Sequence, residues 1–253
     1  MSDAAPILAA PILSVRNVSK HFGAVHALQK VSFDVHAGEV VALAGDNGAG
    51  KSTIIKAVSG VFQYEDGDIL LDGRRIAFAS PQEARDNGIE TIYQDLALAD
   101  NLSIGANIFL GREPMTHRFG FLPVLDRKKM AAAAKSTMEL LDFHVDRLDA
   151  PVSAFSGGQR QAVAIGRAIF WNARLIIMDE PTAALGVPEQ RKVLALIKSL
   201  KAQGRGIIFI SHNMHDVFQV ADRIVVLLRG QNAGERKIAE TTSEEIVRMM
   251  IGK

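Results

Sequence analysis

Residues 39–60 read EVVALAGDNGAGKSTIIKAVSG. The run from Val40 to Ala44 is apolar without interruption, as in a strand buried on both faces. Gly45, Asp46, Asn47, Gly48, Ala49, Gly50, Lys51 and Ser52 follow it in the pattern G-x-x-x-x-G-K-[ST], and a helical stretch begins at once. Glycines at this spacing let successive backbone N–H groups turn inward around a β-phosphate, and the helix start adds its positive end. Lys51 is then placed to meet the β- and γ-phosphates, Ser52 to offer a hydroxyl to Mg²⁺, and Thr53 to reach the α-phosphate. A strand, a phosphate loop and a helix in that order predict an α/β fold with a nucleotide at the carboxyl end of a parallel sheet.

Later strands end in the same kind of chemistry. In RLIIMDEP (174–181) a buried strand delivers Asp179 to its carboxyl end, where it would bind Mg²⁺; Glu180, one residue on, is placed to act as general base on the attacking water. GIIFIS (206–211) ends at His212, at a matching depth in the sheet for a hydrogen bond to the γ-phosphate. His215 lies three residues on, but two histidines without a third ligand make a weak metal site. RIVVLL (223–228) is a further buried strand. From Ile12 to Phe78 short β-like runs dominate, with Asp72-Gly73 as a hairpin turn, so an antiparallel layer is expected beside the first nucleotide strand. From Asn101 to Ala150 helix formers take over, notably DRKKMAAAAKSTMELL, where Asp126 can cap the start. The tail TTSEEIVRMMIGK opens with a T-x-x-E box before a last short helix. The expected architecture is a mostly parallel sheet with an N-terminal antiparallel β layer and an inserted α-helical subdomain. It forms one domain over 12–253: a core from 12–96 and 160–253, a helical subdomain at 97–159, and a loose segment at 1–11.

Composition narrows the function classes. The 253 residues carry 29 basic and 28 acidic side chains, so no excess field holds nucleic acid by charge, and no nucleic-acid partner is expected. With no cysteine there is neither a disulfide framework nor a thiolate metal site. The opening APILAAPILSV has two prolines and is too short to span a bilayer, and no apolar run approaches 18 residues. Work at a membrane would need a separate embedded partner.

The stretch SAFSGGQRQAVAIGRA (153–168) adds a second glycine loop. Ser156 to Gln159 is formally a capping box, worth about 1 kcal/mol. A cap alone does not explain two consecutive glycines, whereas exposed amides of Gly157 and Gly158 at a helix start make a second anion site. Two loops facing the same way on separate lobes cannot both surround one nucleotide. In a two-fold dimer, each second loop closes on the nucleotide held by the other copy.

With these motifs in order, the chain resembles the ATP-binding subunits of ABC transporters from about Ile12 to Lys253. The resemblance implies a RecA-like P-loop core and identifies Gly45 to Thr53 as the Walker A loop, FSGGQ as the signature motif, LIIMDE as the Walker B strand and His212 as the switch histidine. It adds two assignments. Gln94, in TIYQD, matches the Q-loop glutamine, which contacts Mg²⁺ and couples to the membrane domain. Phe22, in KHFGAVHAL, corresponds to the aromatic that stacks on adenine, although by position alone a buried strand-end phenylalanine is the plainer reading. The absence of N-K-x-D favours ATP over GTP.

The resemblance has two departures. Where the family usually has S-A-L-D after Walker B, this chain has Ala183-Ala184-Leu185-Gly186, losing a hydroxyl and a carboxylate that help link the two ATP sites. The signature begins with Phe155 in place of leucine, an apolar swap. Longer stretches, TIYQDLALADNLSIGANIFLGRE among them, look like the ATPases of bacterial simple-sugar importers. Most of those carry two fused copies of the domain, and this chain resembles the short single-copy members associated with monosaccharides such as fructose. The resemblance implies ATP and Mg²⁺ as ligands and a second copy of the chain and membrane permease subunits as partners. A sugar-binding protein follows indirectly, and the expected place is the cytoplasmic face of the bacterial inner membrane. Residues 96–110 would either receive a permease's coupling helix or form helical core. The alternative is a non-transport ATPase of the same family acting on ribosomes or nucleic acid.

Overall fold

The computed structural model describes residues 10–118, 121–141, 147–183 and 185–253, which cluster into two units. Unit one comprises 1–91, 174–180 and 197–253; unit two comprises 92–173 and 181–196.

Unit one holds two sheets. Strands β1 (Leu13–Phe22), β2 (Val25–Val35), β4 (Asp66–Leu71) and β5 (Arg74–Ile76) form an antiparallel layer in the order β2-β1-β4-β5. Asp72 and Gly73 turn between β4 and β5 with φ of 50° and 75°, the two positive values that a tight two-residue hairpin needs. The second sheet has six strands. They are β3 (Val40–Ala44), β6 (Ile89–Ile92), β9 (Leu175–Asp179), β10 (Gly206–Ile210), β11 (Arg223–Leu228) and β12 (Gln231–Lys237), in the order β12-β11-β3-β10-β9-β6. β11, β3, β10 and β9 run parallel, and β12 closes one edge antiparallel to β11.

The interior of each parallel strand is apolar because both of its faces are covered. Val41, Leu43, Ile177, Ile208 and Val225 belong to the same core cluster as Leu13, Val15, Val31 and Phe33 of the antiparallel layer. Helix α1 (Lys51–Val58) contributes Ile54, Ile55 and Val58 to that cluster, which fixes the helix start at the carboxyl end of β3, and α2 (Pro81–Asp86) and α7 (Met214–Val220) complete the α-helices that lie wholly within this unit besides the last.

Unit two is built around α3 (Ile104–Phe109), α4 (Arg127–Leu140) and α5 (Gly157–Phe170), which pack on one another. The Asp126 side chain caps α4 by accepting from the Lys129 amide. Gly105 lies against the Met130 carbonyl and Gly166 against the Thr137 methyl, so α3 and α5 both approach α4 closely. Residues 101–150 are not helical throughout. Met115–Arg118 (β7) and Leu122–Leu125 (β8) pair as a hairpin inside that span, where Pro123 would have interrupted a helix. The last helix, α8 (Ser243–Ile251), starts at Thr242, whose side chain accepts from the Glu245 amide.

Candidate nucleotide site

The phosphate loop hangs between β3 and α1. Gly45 has φ 152°, and a Cβ there would stand 2.5 Å from the Leu227 carbonyl oxygen and 2.8 Å from the Ala49 methyl. Gly50, at φ 105°, caps α1 where a Cβ would meet the Ala27 carbonyl at 2.9 Å. Only glycine fits at either place, and the loop is therefore set by backbone shape. Asp46, Asn47 and Gly48 are exposed at its tip, Ala49 is buried beneath it, and the Ala49 amide bonds back to the Asp46 carbonyl. The Lys51 ammonium folds over the loop and donates to the Gly45 and Asp46 carbonyls at 2.6 and 3.1 Å. Those carbonyls hold the cation over the concavity where phosphate oxygens would sit. Ser52 is exposed and Thr53 half-buried in the first turn of α1.

The carboxyl ends of β9 and β10 bring up the acidic side. Burial pushes the Asp179 carboxyl above the usual carboxylate range, the Glu180 charge pushes the same way, and Lys51 and Lys56 offset this only in part. A divalent cation beside Asp179 would remove that penalty, so the residue fits an Mg²⁺ site. Glu180 adopts φ 53°, a left-handed conformation that costs a non-glycine residue free energy and turns its side chain out of the strand direction. Its amide is tied to the Ile210 carbonyl at 2.9 Å, and its Oε1 accepts from the His212 amide at 3.0 Å. The His212 Nδ1 lies 2.8 Å from Glu180 Oε2, within ion-pair reach but outside hydrogen-bond geometry, so this buried oxygen lacks a hydrogen-bond partner. A strand-end carboxylate held against an exposed histidine is placed to hold and deprotonate a water once that histidine turns away.

Phe22 ends β1 and is 51% exposed, which sets aside the strand-core reading. Its ring meets Phe62 edge-on at 5.4 Å, and Lys20 Nζ lies 5.3 Å from its centroid. The β1–β2 hairpin that carries Phe22 also carries Ala27, whose carbonyl abuts Gly50, so the ring belongs to the element that borders the phosphate loop.

Unit two holds the remaining candidates. Gln94 is exposed, two residues beyond the end of β6. Ser156 caps α5 with a complete capping box: its Oγ accepts from the Gln159 amide and the Gln159 Oε1 accepts from the Ser156 amide, at 3.3 and 3.0 Å. The amides of Gly157 and Gly158, first in the helix, are left without intrahelical acceptors. Of the segment 183–186, Ala184 lies outside the described residues, as do positions 1–9 of the expected loose start. His215 is exposed, and among the described residues no group of three metal-ligating side chains forms around it or elsewhere.

Asn107 escaped the sequence reading. It is buried, accepts from the Ala99 amide and donates to the Ala99, Leu102 and Ser103 carbonyls, pinning the segment that follows Gln94. An asparagine inside an apolar helical pattern was the available signal. The stretch 96–110 divides: Ile104, Ile108 and Phe109 are core, whereas Leu102 and Ala106 line an open cavity of about 640 Å³ with Leu125 and Met130.

The ABC transporter family matches this chain over residues 28–183. The xylose/arabinose import ATP-binding protein of Sulfolobus acidocaldarius is 49% identical over 239 residues, covering 94% of this chain and 93% of its own length. The fructose import ATP-binding protein of Rhizobium meliloti is 45% identical over 247 residues, covering 96% and 94%. Among solved structures, an ATP-binding cassette of an ABC transporter in its ADP conformation superposes with a TM-score of 0.82 at 27% identity, covering 97% of this chain and all of that one.

Proposed function

We propose that this chain, which belongs to the ABC transporter family, is the ATP-hydrolysing motor of a simple-sugar importer and works as a two-fold dimer on separate permease subunits at the cytoplasmic face of the membrane. The observation that carries the reading is the pairing of a glycine-shaped phosphate loop with Glu180, a carboxylate held in a left-handed turn against His212. The sugar class rests on the names of relatives that match nearly the full chain.

In this reading adenine stacks on the exposed Phe22 ring. The triphosphate lies in the amides of Gly45 to Thr53, and Lys51 exchanges carbonyl partners for β- and γ-phosphate oxygens. Ser52, Asp179 and Gln94 would hold Mg²⁺, which supplies neutralisation of phosphate charge. Glu180 Oε2 accepts a hydrogen bond from the attacking water and takes its proton, while His212 keeps Glu180 aligned and turns toward the γ-phosphate. Ser156 to Gln159 of the second copy, with its free helix-start amides, closes the far side of the site. The apolar cavity of unit two takes the permease, and a sugar-binding protein delivers cargo to that permease. Among the described residues no helix is long and apolar enough to cross a membrane, consistent with a motor that relies on embedded partners.

The test is a mild-detergent pull-down of the tagged chain from its native membranes, with and without ATP, followed by mass spectrometry. Recovery of a multi-span permease together with a sugar-binding protein is the expected result. Ribosomal or DNA-bound partners without any permease would overturn the transport assignment while leaving the ATPase intact.

A further inference from the structure

The S-G-G-Q loop rests on a neighbour that its own motif does not contain. A Cβ built on Gly158 would stand 2.6 Å from Glu189 Cγ and 3.0 Å from its Cβ, so the aliphatic stem of Glu189 fills the space a side chain at 158 would need. The other end of the same side chain reaches Gly186, where a Cβ would meet Glu189 Oε2 at 2.7 Å. Alongside, a Cβ on Gly157 would lie 3.4 Å from Leu185 Cδ2. All of these residues belong to unit two. Leu185 and Glu189 therefore form the bed under the two helix-start glycines, and each end of Glu189 occupies space left open by a glycine.

We infer that Glu189 is a positioning residue for the S-G-G-Q loop. It is a strut between Gly158 and Gly186 that holds the free amides of Gly157 and Gly158 in the orientation needed to close on the second copy's nucleotide. At position 186 a side chain would collide only with the movable head of Glu189, so the fixed contact of the strut is the one at Gly158. The missing side chain at 186 is thus matched by a carboxylate that reaches the same place from α6 (Val187–Ala202). Glu189 also sits in the first turn of α6, where a negative charge is favourable, so its charge alone would have a local role. The strut reading differs because it assigns the effect to length and packing.

This inference rests on the dimer reading above, and the experiment separates the two. In a Glu180→Gln background, which slows hydrolysis, ATP-dependent dimerisation is followed by light scattering. Binding of a fluorescent ATP analogue is followed on dilute, monomeric chain. Glu189→Ala is expected to raise the ATP concentration for half-dimerisation about tenfold, the scale of a misplaced binding group, without shifting analogue binding. Glu189→Gln, with the same stem and a polar head, should stay within about twofold of the parent. Gly158→Ala should impair dimerisation more than Glu189→Ala. Equal dimerisation by Glu189→Ala and the parent overturns the strut. So does a Glu189→Gln loss as large as the alanine's. If the Glu180→Gln parent itself fails to dimerise with ATP while binding the analogue, the dimer reading falls instead.

Discussion

The two ends of the six-stranded sheet are built from the same parallel strands and treat charge in opposite ways. At the amino end every strong charge is answered. Arg223, which opens β11, bonds Glu39 at 2.6 Å and Glu235 at 2.7 Å and also donates to the Asp34 carbonyl. Glu39 in turn accepts from the His36 amide. Burial alone would push the Glu39 carboxyl up, yet the hydrogen bonds from Arg223 and His36 and the Arg223 charge outweigh it and hold it below the usual range. Asp222 accepts from Lys201 and from the Val40 amide. At the carboxyl end Asp179 is held above its ordinary range, Glu180 sits in a strained turn against the exposed His212, and Lys51 donates to the Gly45 and Asp46 carbonyls, which it can give up. One end is closed by its own side chains, and the other keeps its polar groups available for a ligand. Stability and chemistry are therefore spatially separated along strands only five or six residues long.

Substitutions can break this contrast, and the largest effect is expected at the open end. Glu180→Gln should lower ATP turnover by about 10²- to 10⁴-fold with a melting temperature close to the parent's, as measured by steady-state phosphate release and calorimetry. Turnover near the parent's would remove Glu180 from its role. At the closed end, Arg223→Met should cost about 1–3 kcal/mol in denaturant unfolding, because it leaves the half-buried Glu39 carboxylate with His36 as its remaining partner, while kcat per folded molecule stays near the parent's. A large kcat change there would show that the two ends are not separate.

Phe22→Ala should raise the KM for ATP about tenfold, within the ~1–3 kcal/mol of a base stacked on an aromatic ring, and leave kcat nearly unchanged. An unmoved KM would free the exposed ring for some other partner.

The smallest effects are on pH and charge. The stability that Glu39 contributes is present above its unfolded pKa and is lost as pH falls through its lowered folded value. Asp179 has the opposite sign: its raised pKa means that the folded chain holds the proton more tightly, so stability falls as pH rises through that value. Asp179→Asn in nucleotide-free protein should therefore raise the melting temperature near neutral pH, by about 2–4 °C for each kcal/mol of penalty removed, while reducing Mg²⁺-dependent hydrolysis. A lowered melting temperature would show that Asp179 is stabilised as the anion.

Much of the open end was legible in the sequence because its chemistry is local. Gly45 to Ser52 and Asp179 with Glu180 are contiguous, as is Ser156 to Gln159 in unit two, and their meaning follows from the strand or helix they adjoin. The closed end was illegible, since Glu39 and Arg223 are 184 residues apart and nothing in either neighbourhood announces the pair. The hairpin of β7 and β8 was missed for a related reason: a strand of four residues amid helix formers gives too short a period to read.

The sequence by itself determined the fold class, the phosphate loop, the acidic strand end and the second glycine loop, because repeated apolar runs and fixed motif spacings encode which face is buried and which terminus is exposed. Only the tertiary structure decided that Phe22 is exposed, that His212 contacts Glu180, that Asn107 pins the segment after Gln94 and that Glu189 lies under Gly158. Each of these depends on side chains brought together by packing across the chain, and packing is a property of the whole core that no local pattern records.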